Sequence, residues 1–263
     1  MTFSFETSRR SVGLLLAGLS LSLAACDIDK TLAVRDPDVA NPTSLNDITV
    51  LPTLRASAIS DMQQSWTGGG GETGVVVESA LLGDELTWAE TFPTRGEMDQ
   101  RNINPINGTL SVLYNNLQRA RATADRTAAA YYRLQPANPA RSEIQAMAAF
   151  AYIALGEVFC NGVPTSDFDV NAGTFVLGSP QTGVQLFTTA LAKLDSALVN
   201  FDATLASNAQ ITNLIRVGRG RALLNLNRPA DAAAAVAAVP TTYRYTFFHS
   251  ENTGRQNINM FLI

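Results

Sequence analysis

Apolar residues recur along this chain mainly at intervals of three and four. Ile106, Leu110, Leu113, Leu117, Ala120, Ala124, Ala128 and Tyr131 are separated by 4, 3, 4, 3, 4, 4 and 3 positions, which is one stripe on a 3.6-residue helix. Arg119, Arg121 and Arg126 lie off that stripe and read as a solvated face. Ile144, Ala148, Ala151, Leu155 and Val158 repeat the spacing, with Ser142 as the candidate N-cap. Val184, Phe187, Leu191, Leu194, Leu198 and Phe201 form a third stripe. Residues 211–227 and 230–239 predict a last pair, split by Asn227-Arg228-Pro229. Towards the start, Pro52 suits a first helical turn, and Leu54, Ala58 and Met62 share a face up to Trp66. Residues 75–86 predict a further helix. The stretches between are long and irregular: 67–74 (TGGGGETG), 87–108 and 161–182. Residues 242–250 (TYRYTFFHS) alternate with the period of a strand.

The fold class predicted is therefore all-α. The segment GRGRALLNLNRPADAAAAVAAVP resembles a tetratricopeptide repeat: Gly218, Gly220 and Ala222 let two helix backbones approach, and a turn and a small-residue second helix follow. Residues 148–156 precede residues 219–227 by 71 positions, close to two repeats of about 34 residues. The expectation is degenerate tetratricopeptide-like antiparallel helix pairs, stacked into a right-handed superhelix with long loops.

The first 25 residues read differently. Arg9 and Arg10 precede an apolar run over 12–25 that ends in small residues, the layout of an export signal. Fourteen helical residues span roughly 21 Å, short of a hydrocarbon core of about 30 Å. Leu23-Ala24-Ala25-Cys26 resembles the bacterial lipobox, and that resemblance implies cleavage before Cys26 and acylation of its thiol and new amine. Several acyl chains anchor stably where one does not. Residues 1–25 are then the lipoprotein signal peptide and 26–46, polar with Pro37 and Pro42, a lipidated tether. Residues 47–263 make the helical-repeat domain. Cys160 is left without a disulfide partner and reads as a small packed hydrophobe.

Charge narrows the function classes. The chain carries 19 basic and 23 acidic residues, net −4; removing Arg9, Arg10 and Glu6 with the leader leaves 17 against 22, net −5. An acidic chain without a basic block is not a nucleic-acid binder. The glycine run lacks the Lys and Ser/Thr of a phosphate loop, and no serine-hydrolase or zinc-protease motif occurs. Asp84 and Glu85, if helical, would point about 100° apart and not converge. The expectation is a protein that is not an enzyme, with no cofactor and no metal site.

The lipobox Cys26, the segments ALLGDELTWAETFPTRGEMDQRNI, LYNNLQRARATAD and AFAYIALGEVFCNGVP, and the final GRGRALLNLNRPADAAAAVAAVPTTYRY occur in this order. Together they resemble the SusD/RagB family of outer-membrane nutrient-binding lipoproteins. What the resemblance implies is binding without catalysis: a lipid-anchored protein on the outer membrane, facing the cell exterior, that holds a glycan or peptide. It would deliver that ligand to a TonB-dependent transporter barrel. The helical repeats would face the barrel and loops would carry the ligand. Trp66, Trp88 and Phe92, in or beside predicted loops, are the candidate stacking faces for a sugar, though each reads more readily as a core aromatic that anchors a loop. Members of that family are longer, so the domain over 47–263 is expected to be incomplete. A helical-repeat assembly lipoprotein that binds only proteins is the alternative.

Overall fold

The three-to-four spacing is realised as helices in a computed structural model that describes residues 47–69, 71–169 and 172–249. They are α1 (Leu51–Thr67), α2 (Val75–Leu82), α3 (Pro93–Asp99), α4 (Gly108–Leu134), α5 (Pro139–Phe159), α6 (Gly183–Ala197), α7 (Ala209–Asn225) and α8 (Pro229–Val236). The fold is all-α with two short antiparallel ribbons. One pairs β1 (Val163–Pro164) with β4 (Pro180–Gln181), and the other pairs β2 (Asp167–Asp169) with β3 (Thr174–Val176). The leader, Cys26 and the tether lie outside the described residues, as does the apolar end at 260–263.

Helix α5 is the centre. Fourteen of its 21 residues are buried, and it packs against α4, α6 and α7. Its sequence is apolar around the whole circumference from Ala146 to Gly156, the composition of a helix with no solvent face. Alanines at 146, 148, 149, 151 and 154 are all fully buried; their small side chains let three neighbours close in. Gly156 goes furthest, since a Cβ there would meet the Phe187 ring of α6 at 2.6 Å.

Neighbouring helices run antiparallel, as specific contacts show. Tyr131 at the end of α4 donates to Leu51 O at the start of α1 (3.2 Å), and Arg119 pairs with Asp61 (3.3 Å) further along. Across α5 and α6, Arg141 and Ser142 meet Ala197, while Gly156 meets Phe187. Arg141 is 2% exposed, and its guanidinium donates to Ser196 O, Ala197 O and Val199 O. These are carbonyls at the C-terminal end of α6, where a helix leaves acceptors unmatched.

Several local expectations are corrected. Helix α5 starts earlier than Ser142 because Asn138 caps it, its Oδ1 accepting from Ala140 N (2.9 Å), with Pro139 in the first turn. Ser142 is instead buried and donates to Ala197 O (2.6 Å). Helix α4 is capped by Asn107, which leaves Ile106 outside and 85% exposed. Helix α2 stops at Leu82, since Gly83 N closes on Ser79 O and Asp84 follows at φ +61°. Asp84 therefore lies in a turn and pairs with Arg101 (2.6 Å). The buried face of α6 is Leu186, Phe187, Ala190, Leu194 and Ala197; Val184 is exposed, and Leu198 and Phe201 lie beyond the helix end. Gly218 faces Leu194 of α6 and Phe150 of α5, while Gly220 meets Val236 of α8. The close approach in the last pair thus belongs to Gly220.

Residues 242–249 keep the two-residue alternation but form no strand. Tyr243, Tyr245 and Phe247 turn inward onto the helical core. Tyr245 donates to Glu143 Oε1 (2.8 Å), a carboxylate also gripped by Arg55 (2.6 Å). Burial and Glu143 push the Tyr243 hydroxyl up to about 12. Cys160, expected to pack, is exposed: it ends α5 at φ +59°, where the turn swings its side chain outward.

Candidate functional site

The three aromatics singled out in the sequence do not converge. Trp66 closes α1, meets Phe150 edge-on (6.4 Å between centroids) and carries Arg221 over its ring at 5.3 Å. Trp88 belongs to a separate cluster with Val77, Leu81 and Met98. A Cβ on Gly96 would strike its ring at 2.9 Å, so α3 lies flat against the indole. Both tryptophans are engaged in packing. Phe92 is 54% exposed, with Arg95 4.6 Å from its ring centroid, and keeps an open face.

A solvent-open groove of about 420 Å³ lies elsewhere, between α4 and the β2–β3 ribbon. Its floor is built by two side chains one helical turn apart on α4. Gln118 donates to Pro164 O (2.8 Å), and Arg121 donates to Ser166 O. Gln118 also donates to Tyr114 Oη (3.0 Å) and accepts from Arg121 Nε (2.9 Å). The chain is thus pinned by its backbone in β1 and just before β2, and the side chains of the following ribbon line the groove. Phe168 and Phe175 face each other across β2 and β3, with centroids 5.1 Å apart and planes at 66°. Phe175 is 75% exposed.

Arg121 is the clearest correction to the sequence reading, which placed it on a solvated face. It is 3% exposed. Behind the groove it approaches Asp125 (3.6 Å), which also pairs with Lys193 of α6 (2.6 Å) and accepts from Tyr152 Oη (3.1 Å). Burial, then the Asp125 charge, push the Tyr152 hydroxyl up to about 12. Arg119 and Arg126 are exposed as expected, and both line the groove. Arg119 is held by Asp61, Gln64 and Asn116. Arg126 donates Nε to Ala122 O (3.2 Å) and stands 3.7 Å from Asp167.

These groups supply flat apolar faces, two exposed guanidiniums of which Arg126 is the less committed, and one accessible carboxylate, a set suited to binding a polar ring compound. The sequence reading missed Phe168 and Phe175. Their signal was present: two short β-prone runs, SDFDV and TFVL, flank the turn-forming Asn171-Ala172-Gly173. Among the described residues no cluster of three or more His, Cys, Asp or Glu side chains could hold a metal ion, and no helix is long and apolar enough to cross a membrane. Comparisons of the chain with protein-family models, with curated proteins and with solved structures find no match.

Proposed function

We propose that this chain is a cell-surface lipoprotein, anchored in the outer membrane through Cys26. It binds a nutrient, an oligosaccharide or a peptide, and delivers it to a TonB-dependent transporter barrel. The observation that supports this reading is the open groove between α4 and the β2–β3 ribbon, with exposed aromatic faces carried on a rigid helical frame. Ligand sites on loops held by a rigid scaffold are the usual arrangement. The lipobox and the ordered SusD/RagB-like segments supply the membrane and the transporter. We read α5 with α6 and α7 with α8 as two degenerate tetratricopeptide-like pairs of a right-handed superhelix, presenting the surface that meets the barrel. In support, α5 packs on both α6 and α7, as stacked pairs must. No catalytic step is assigned.

The alternative, an assembly lipoprotein that binds only proteins, is favoured by one feature: Val176 and Leu177 beside the groove are 56% and 83% exposed, an apolar tip that a protein surface would cover. Detergent extraction of the tagged protein from its native membrane decides between them. A co-purifying barrel, together with calorimetric binding of a glycan or peptide, is the expected result. Soluble partners alone, with no barrel and no ligand, would establish the assembly reading.

A further inference from the structure

We infer that the ligand of the α4–ribbon groove is an acidic oligosaccharide, a chain of uronate sugars bound through its carboxylates; this rests on the nutrient-binding reading above. Two kinds of wall meet in the groove. Phe168 and Phe175 present hydrocarbon faces, and Phe175 remains 75% exposed. Such a face gains nothing until something flat and partly apolar covers it, and the C–H face of a pyranose ring does so. The second wall is charged.

The three arginines there are not equivalent. Arg121 is buried and committed to Ser166 O, Gln118 and Asp125. Arg119 is balanced by Asp61 and by two side-chain amides. Arg126 is the one with capacity. Its side chain is 42% exposed, and Nε is bonded to its own helix. Its Nη1 stands 3.7 Å from Asp167, beyond the roughly 2.7–2.9 Å of a charge-assisted hydrogen bond. Nη2 makes no hydrogen bond among the described residues. A planar guanidinium half-released from its partner matches the two oxygens of a carboxylate.

Asp167 completes the set. Its Oδ1 accepts from Phe168 N (2.8 Å), which fixes the carboxylate beside the aromatic pair. Its Oδ2 is left to accept from sugar hydroxyls. A uronate ring carries what these three features require: a C–H face, a carboxylate and hydroxyls. A neutral hexose lacks the partner for Arg126. The chain is acidic overall, net −4. The cation at the groove is therefore a local feature, one that discriminates by position rather than by bulk attraction.

The test is calorimetric titration of the detergent-solubilised full-length protein. The probes are hexamers of galacturonate, guluronate and glucuronate, methyl-esterified hexagalacturonate, maltohexaose and hexaglutamate. At least one uronate hexamer should bind, and for galacturonate the ester should bind at least about tenfold more weakly than the acid. Arg126→Gln should weaken the acid by roughly 10–100-fold, the loss of one hydrogen-bonded charge pair, and leave the ester unchanged. Phe175→Ala should weaken acid and ester by the same factor. Ester or maltohexaose binding as tightly as the acids, or an Arg126→Gln protein that binds them normally, would overturn the acidic-sugar assignment. Hexaglutamate as the sole ligand would overturn it in favour of a peptide. If a barrel co-purifies but no uronate binds, the assignment fails and the transporter reading stands; if neither occurs, both fail.

Discussion

Helix α5 and the β2–β3 ribbon differ in almost every physical respect, though both are rich in apolar side chains. In α5 the apolar groups are closely fitted: Ile153 and Leu155 are fully buried among alanines and Gly156 admits the Phe187 ring. In the ribbon and the residue that follows it they are large and open, with Phe175, Val176 and then Leu177 all more than half exposed. Burial explains the first and cannot explain the second. Apolar surface left in water gains no hydrophobic free energy. What α5 shows is burial that stabilises; what the ribbon shows is apolar surface left open to solvent, which the proposed function reads as a place for a ligand. Between them stands α4, whose Gln118 and Arg121 hold the backbone at Pro164 and Ser166, the segment that leads into the ribbon.

The comparison predicts a graded series of substitutions. The largest effect is expected in α5. Ile153→Ala removes three carbons from a fully buried site flanked by close-packed alanines. The cost should be about 2–5 kcal/mol, read as a lower urea midpoint with an unchanged slope. A cost below the bottom of that range would mean that the neighbours relax into the space.

Next comes the link itself. Arg121→Met keeps much of the volume but deletes the bonds to Ser166 O and Gln118 and the charge beside Asp125. Asp125 retains Lys193 at 2.6 Å, so the carboxylate is not stranded. The loss should be about 1–3 kcal/mol, the penalty of unmade buried hydrogen bonds. The distinguishing readout is hydrogen exchange: amides of the ribbon should open faster while those of α5 stay protected.

A smaller effect tests the buried cluster behind the groove. Tyr152→Phe deletes one hydroxyl bonded to Asp125 (3.1 Å) and should cost about 1 kcal/mol at pH 7–9. The wild-type hydroxyl is raised from its ordinary value near 10 to about 12 in the folded protein. A raised pKa contributes stability that is fully present below the unfolded value and lost as pH climbs through the folded one. The gap between wild type and Tyr152→Phe should therefore narrow between pH 10 and 12. A constant gap would mean that Tyr152 ionises alike in both states.

How far the sequence disclosed these two regions follows the same division. The α4 and α5 stripes were legible because burial imposes a period: Leu113, Leu117, Ala120, Ala124 and Tyr131, like Ile144, Ala148, Ala151 and Leu155, are buried as the spacing requires. The third stripe was displaced because leucine alone does not mark a core position. Leu186 and Ala190 face inward while Val184 faces out, and the choice is made by what α5 offers opposite them. Arg121 could not be read at all. Its position off the apolar stripe marks it as polar-facing, and only the carbonyl of Ser166, 45 residues away, makes that face an interior. Trp88 reads from the sequence as a loop-side aromatic, yet its role depends on Gly96 lying against it, a contact that spacing does not reveal. Local periodicity carries the frame, then, while the groove depends on side chains meeting across long separations.

The smallest expected effect on stability is the most telling one for the ribbon. Phe175→Ala deletes a ring that is 75% exposed and whose described contact is the edge of Phe168 at 5.1 Å. Little buried area is lost, so the hydrophobic contribution forfeited is small. An aromatic pair contributes about 0.5–1.5 kcal/mol when well packed, and an exposed pair lies at the bottom of that range. The ribbon is two strands of three residues each, too short to hold itself; the segment that leads into it is held by the bonds of α4 to Pro164 O and Ser166 O, which the substitution leaves intact. The urea midpoint should therefore shift by no more than the equivalent of about 0.5 kcal/mol, with the helical spectrum unchanged. A loss of several kcal/mol, of the size reserved for Phe→Ala in a core, would show that Phe175 is held down by chain contacts and is not open to a ligand. The comparison between a closed helix and an open ribbon would then collapse into two parts of one core.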